Sequence, residues 1–169
     1  MASVSIRSGG QTGVDRAALD FAVAQGLIYG GWCPHGGWAE DFPVTPGLSA
    51  KYPRLTETPS SLPQQRTAWN VRDSHATMLI VRGEALDRTP GTSFAKLMAE
   101  IVFLRPCLVV DVGSPTAVDD ASNWLAALAA SFGTSDLWLH VGGPRESEAP
   151  GIYSTATAFL TELLGGGAR

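Results

Sequence analysis

Val4-Ser5-Ile6-Arg7-Ser8-Gly9-Gly10-Gln11-Thr12-Gly13-Val14-Asp15-Arg16-Ala17-Ala18-Leu19-Asp20-Phe21-Ala22 is the stretch that sets the fold class. Its opening residues, Val4 to Arg7, form a short β-branched run and read as a strand. Val14, Ala17, Ala18, Phe21 and Ala22 then recur at helical spacing, and Gly26 supplies a stop. Between strand and helix lies a glycine-rich turn. Glycines let a backbone turn sharply and come close to a ligand. The helix that follows offers free N–H groups and a partial positive charge to an anion. The turn is neither a strict G-x-G-x-x-G nor a G-x-x-x-x-G-K-[ST], and no lysine follows, so a Walker-type triphosphate site is not indicated. Asp15 falls in the first helical turn, where the helix dipole favours a carboxylate.

The same alternation of strand and helix continues outward. Gly30 to Cys33, Ala76 to Val81, Cys107 to Val112 and Leu137 to Val141 read as further strands, giving about five parallel strands with helices on both faces. The helices between them carry apolar faces. Phe94, Leu97, Met98 and Ile101 mark one, and Val118, Ala121, Leu125 and Leu128 mark another, capped by Ser114 with Pro115 at its first position. A short helix is expected from about Gln64 to Arg72, and a last one after Pro150. The Pro-rich residues 34–63 break the rhythm, and a connection of that length is more often functional than idle. Right-handed crossovers place every strand-to-helix turn on one edge of such a sheet, where ligands bind.

Composition narrows the function. The chain has 169 residues, enough for one domain spanning residues 1–169, with 44% hydrophobic and 17% charged residues and a net charge of −4. No concentrated basic face exists, so nucleic acid is not an expected partner. No apolar run is long enough to cross a bilayer, and no secretory pattern opens the chain, so a cytoplasmic protein without a membrane partner is expected. Cys33 and Cys107 read as free thiols of a reducing compartment. His35, His75 and His140 are scattered, so no protein-bound metal site and no hydrolytic triad can be drawn.

Three loops carry the candidate ligand contacts. The first supplies Gly9, Gly10, Gln11, Thr12, Gly13 and Asp15. The second, Thr89-Pro90-Gly91-Thr92, opens a helix and supplies Gly91 and Thr92, the latter a natural cap. The third supplies Gly143, Pro144, Arg145, Glu146 and Ser147 beyond the last strand, with Arg145 suited to bidentate phosphate contact. Arg66, Asn70 and Asp73 share one stripe of a helix, and Arg66 and Asn70 join the candidate set. Glu40, Asp41 and Glu57 in the Pro-rich segment are carboxylates able to serve as general acid or base if drawn into the crevice.

The order of these pieces is informative. The run from Ser8 to Asp20, Gly31-Trp32-Cys33-Pro34, Ala39-Glu40-Asp41, Thr56-Glu57-Thr58, Arg66-Thr67 with Asn70-Val71-Arg72-Asp73-Ser74, and Gly143-Pro144-Arg145-Glu146-Ser147 with Pro150-Gly151-Ile152-Tyr153 together resemble the molybdenum carrier family across nearly the whole chain. The resemblance implies a Rossmann-like doubly wound sheet, glycine-loop phosphate binding and a homo-oligomer, dimer or tetramer. It also implies molybdenum cofactor, a phosphate-bearing pterin, or a nucleotide as ligand. The wider superfamily includes phosphoribohydrolases with a Gly-Thr-x-x-Glu motif. Here Gly91-Thr92 is present but Ala95 stands at the glutamate position, and Glu57 or Glu100 would have to compensate. The residues thus favour a binding or carrier protein for a phosphorylated small molecule over an enzyme. A nucleotide or nucleotide-sugar hydrolase using Glu57, Asp41 or Asp73, and a ligand-sensing module, are the competing expectations.

Overall fold

The computed structural model describes residues 3–83, 89–134 and 136–167. Its strands are β1 (Ser3–Arg7), β2 (Tyr29–Cys33), β3 (Leu55–Glu57), β4 (Ala76–Val81), β5 (Cys107–Asp111) and β6 (Asp136–Gly142). Its helices are α1 (Val14–Ala24), α2 (Leu48–Lys51), α3 (Pro63–Arg72), α4 (Pro90–Leu97), α5 (Ala117–Phe132) and α6 (Ile152–Leu164). All strand pairs are parallel, in the order β3-β2-β1-β6-β4-β5. The Rossmann-like α/β architecture expected from the sequence is therefore present.

β4 shows why the sheet needs cover on both sides. All six of its residues are buried, as befits a parallel strand sandwiched between helices. Met78 and Ile80 pack into a core with Val14, Ala18, Phe21, Ala121, Leu125, Ala156 and Leu160, so α1, α5 and α6 cover one face. Leu79 packs with Val71, Ala95 and Ala99, which places α3 and α4 on the other.

The topology positions the loops. The chain steps outward from β1 to β3 on one side and from β4 to β5 on the other, and β6 returns to fill the centre between β1 and β4. The carboxyl ends of β1, β6 and β4 are thus adjacent, at the point where strand order reverses. Each of the three glycine-bearing loops leaves one of these strands.

Three sequence expectations need correction. Among the described residues the sheet has six strands, because Leu55–Glu57 pairs with β2 inside the Pro-rich segment. α5 begins at Ala117 with Thr116 as its cap residue, two residues beyond the expected Pro115 start. α4 runs on into a π-helical turn, Met98–Val102, and its buried face is Thr92, Ala95 and Ala99, whereas Leu97 and Ile101 are 48% and 66% exposed. Small side chains let this helix lie close to the sheet, while Leu97 and Ile101 face outward.

Candidate functional site

A cleft of about 470 Å³ opens at the carboxyl edge of the central strands. Gln11 and Asp15 line it from the first loop and α1, and Pro63, Gln64, Arg66 and Thr67 from α3. Pro90, Gly91, Thr92, Phe94 and Ala95 line it from α4, and His140, Gly142, Gly143, Arg145 and Glu148 from β6 and the loop beyond. The three loops singled out in the sequence therefore meet in one cavity, together with the amino end of α3.

An ion pair forms its floor. Arg66 Nη1 donates to Asp15 Oδ2 at 2.8 Å, with the two side chains only 11% and 6% exposed. Burial pushes the Asp15 carboxyl above its ordinary value, opposed by Arg66 and by the nearby Gln11 N–H and Arg16. Gly9 makes room for this pair, and Gly142 for the ring of His140. A Cβ on Gly9 would stand 2.0 Å from Arg66 Nη1, and one on Gly142 would stand 3.3 Å from His140 Nε2 and 3.5 Å from Asp15 Oδ1. His140 is 2% exposed, with Nδ1 3.3 Å from Thr77 Oγ1. Burial, reinforced by Arg66 and Arg7, pushes its pKa down to about 3, so the ring is neutral.

The first and third loops are locked together. Gly13 has φ 78° and ψ −129°, a conformation suited to glycine, and a Cβ there would meet Pro144 O at 2.3 Å. The same carbonyl accepts a hydrogen bond from Val14 N, and Gln11 Oε1 accepts from Thr12 N. Part of the donor capacity expected at the amino end of α1 is thus consumed within the protein. Gly13→Ala combines backbone strain with a backbone clash and is expected to cost about 3 kcal/mol. Urea denaturation checks this, and a loss below about 1 kcal/mol would show that the two loops are free to part.

Other expected contacts have structural employment. Asn70 is fully buried away from the cleft, where Oδ1 accepts from Trp32 N and Nδ2 donates to Trp32 O, clamping β2. Glu146 accepts from Gly151 N and Tyr153 N and so tethers the start of α6. Thr12 Oγ1, Ser147 Oγ and Arg145 Nη1 all donate to the Glu40 carboxylate. Gly10 O accepts from Arg16, whose guanidinium also grips Asp41 through two hydrogen bonds.

The cleft's acidic members are Asp15 and Glu148. Ala95 does line it, at the position where the Gly-Thr-x-x-Glu motif would set a carboxylate. The side chains considered as substitutes are engaged elsewhere: Asp41 by Arg16, Asp73 by Arg72 and Trp32, Glu57 by Gly36 N and Ser49, and Glu100 by Lys96. His140, on β6, is a cleft residue outside the three candidate loops. Its signal was positional: it alternates with Leu139 and Val141, on the strand face opposite to these core residues and two before Gly142.

A family model described as the circularly permutated YpsA SLOG family matches residues 6–164. The chain belongs to this family. Its fold is shared with the 1.45 Å crystal structure of the "Putative molybdenum carrier protein" of Syntrophus aciditrophicus SB, at a TM-score of 0.81 and 35% identity over 96% of each chain. The resemblance read from the motifs is thereby borne out. A comparison with curated proteins finds no significant match. No helix among the described residues of this SLOG-family chain is long and apolar enough to cross a membrane.

Proposed function

We propose that this SLOG-family domain binds a phosphate-bearing small molecule in the cleft and holds it without turnover. One observation carries the reading. Thr92 lines the cleft at 3% exposure, and its buried hydroxyl has no protein partner among the described residues. The buried Nε of Arg66, another lining residue, is likewise without one. Buried polar atoms are nearly always satisfied, so an orphaned hydroxyl and an orphaned guanidinium N–H sharing one cavity fit the oxygens of an anion. The amino end of α4 adds its dipole. Supporting retention over reaction, Ala95 offers no carboxylate and the other candidate acids are held in place by hydrogen bonds.

Molybdenum cofactor and a nucleotide are the two candidate ligands, the first prompted by the name of the Syntrophus protein. Among the described residues no group of three or more His, Cys, Asp or Glu is placed to hold a metal ion. A molybdenum cargo would therefore be gripped through its organic phosphate.

Native mass spectrometry of freshly purified protein, with elemental analysis for molybdenum, is expected to show a co-purifying phosphorylated pterin or nucleotide. Thr92→Val keeps the shape and removes the hydroxyl, and is expected to weaken phosphate-ester binding at least about tenfold. A protein that carries no such ligand and binds neither inorganic phosphate nor nucleoside monophosphates overturns the reading.

A further inference from the structure

Thr12, Arg145 and Ser147 come from two different loops, yet their side-chain donors converge on one acceptor. Glu40 Oε2 accepts from Thr12 Oγ1 at 2.7 Å, and Glu40 Oε1 accepts from Ser147 Oγ at 2.8 Å and from Arg145 Nη1 at 3.2 Å. The Glu40 backbone N–H donates to Gln11 Oε1. Two hydroxyls and a guanidinium around one carboxylate form the set of charge-assisted donors that also receives a phosphate.

Glu40 enters this seat from outside the strand-edge loops. It stands in a short antiparallel bridge between Ala39 and Phe42, and its neighbour Asp41 is fastened by Arg16. The backbone is thus anchored independently of the carboxylate, which can leave without unravelling the segment. The Glu40 and Arg145 side chains are 29% and 34% exposed, open to exchange with solvent anions. Arg145 lines the cleft that holds Thr92 and Arg66, so the seat borders that cavity. Against the pull of partial burial, the bonds from Thr12, Ser147 and Arg145 keep the Glu40 carboxyl below its ordinary value, so it is an anion at neutral pH.

We propose that Thr12, Arg145 and Ser147 form a second anion seat with Glu40 as its resident occupant, and that the ligand is of the diphosphate class, its second anionic group displacing the Glu40 carboxylate. The inference rests on the first seat, at Thr92 and Arg66, binding phosphate as proposed above. It makes Glu40 a selectivity gate: a ligand with one phosphate leaves it in place, and a ligand with two must compete with it.

Titration calorimetry with inorganic phosphate and inorganic pyrophosphate tests this on the full chain, its Glu40→Gln and Glu40→Ala variants, and Thr92→Val. Removing the resident charge is expected to raise the ratio of pyrophosphate to phosphate affinity at least tenfold in both Glu40 variants. Arg145→Met introduced into Glu40→Ala is expected to abolish that gain. Thermal melting confirms that each variant is folded. A ratio unchanged within twofold, with phosphate still bound, overturns the second seat and leaves Glu40 as a clamp between loops, while the phosphate reading stands. Failure of every form to bind either anion overturns the phosphate reading and this inference together.

Discussion

Arg66→Met should destabilise the protein by about 3–5 kcal/mol at neutral pH and abolish detectable phosphate-ester binding. The replacement keeps much of the aliphatic stem, so the loss is electrostatic in origin. Asp15 would remain 6% exposed with its principal counter-charge gone. A buried carboxylate without a partner is far more costly than the pair is favourable. Its pH dependence follows from the direction of the shift. Burial already raises the Asp15 pKa in the folded state, and losing Arg66 raises it further. A folded pKa above the unfolded one contributes stability at low pH, which is lost as pH rises through the folded value. Urea denaturation should therefore find the variant closer to wild type at pH 5.5 than at pH 7.5. A double variant, Asp15→Asn with Arg66→Met, should be more stable at pH 7.5 than Arg66→Met alone. A double variant less stable than Arg66→Met would sink the argument, because it would place the cost in packing lost around the arginine stem.

The central strands were legible because burial on both faces leaves a local trace. Ala76 to Val81 is an apolar run interrupted only by Thr77, and Gly83 just beyond it marks where the strand stops. β3 left no such trace. Its three residues, Leu55, Thr56 and Glu57, include a single core side chain, Leu55, that packs with Leu19, Cys33, Leu48 and Tyr52. What makes them a strand is pairing with Gly31, Trp32 and Cys33, a non-local fact. The face of α4 was misread for a different reason. Periodicity weighs large apolar residues, so Leu97 and Ile101 looked like core, whereas Ala95 and Ala99 fill the narrow space against Leu79 and Val71.

The site shows the same division. Loops that follow adjacent strands can be located from glycines and caps, and all three proved to border one cleft. Which donors in those loops stay free is decided by partners far along the chain. Glu40 lies 28 residues from Thr12, 105 from Arg145 and 107 from Ser147, and Asn70 lies 38 from Trp32. No local pattern reports such pairings. Of the stripe Arg66, Asn70 and Asp73, the first two lie on α3 and are turned inward, and Asp73 follows as the helix cap. Arg66 reaches the cleft at its upper end, while Asn70, one turn below, is spent holding β2.

Acid should unfold this protein earlier than its surface carboxylates alone would dictate, and His140 is the reason. The ring is 2% exposed beneath the cleft, and burial together with Arg66 and Arg7 lowers its pKa from 6.5 to about 3. A folded pKa below the unfolded one contributes stability that is fully present above pH 6.5 and is lost as pH falls toward the folded value, because only the unfolded chain takes up the proton. The slope approaches about 1.4 kcal/mol per pH unit, and the whole span is worth on the order of 4–5 kcal/mol. Asp15, with its raised pKa, works in the opposite direction, but within the carboxylate range and above it. Depressed carboxyls such as Asp20, Asp41 and Asp73 add their own loss at lower pH. A difference experiment isolates the histidine. His140→Asn keeps a hydrogen-bonding group near Thr77 Oγ1 and cannot be protonated in this range. Its stability at pH 7 should be lower, because the ring's volume is lost. Between pH 6.5 and 4.5, however, its denaturation free energy should fall less steeply than that of wild type by about 1 kcal/mol per unit. Parallel curves for the two proteins would mean that His140 accepts a proton in the folded state, and the neutral ring assigned to the cleft would have to be given up.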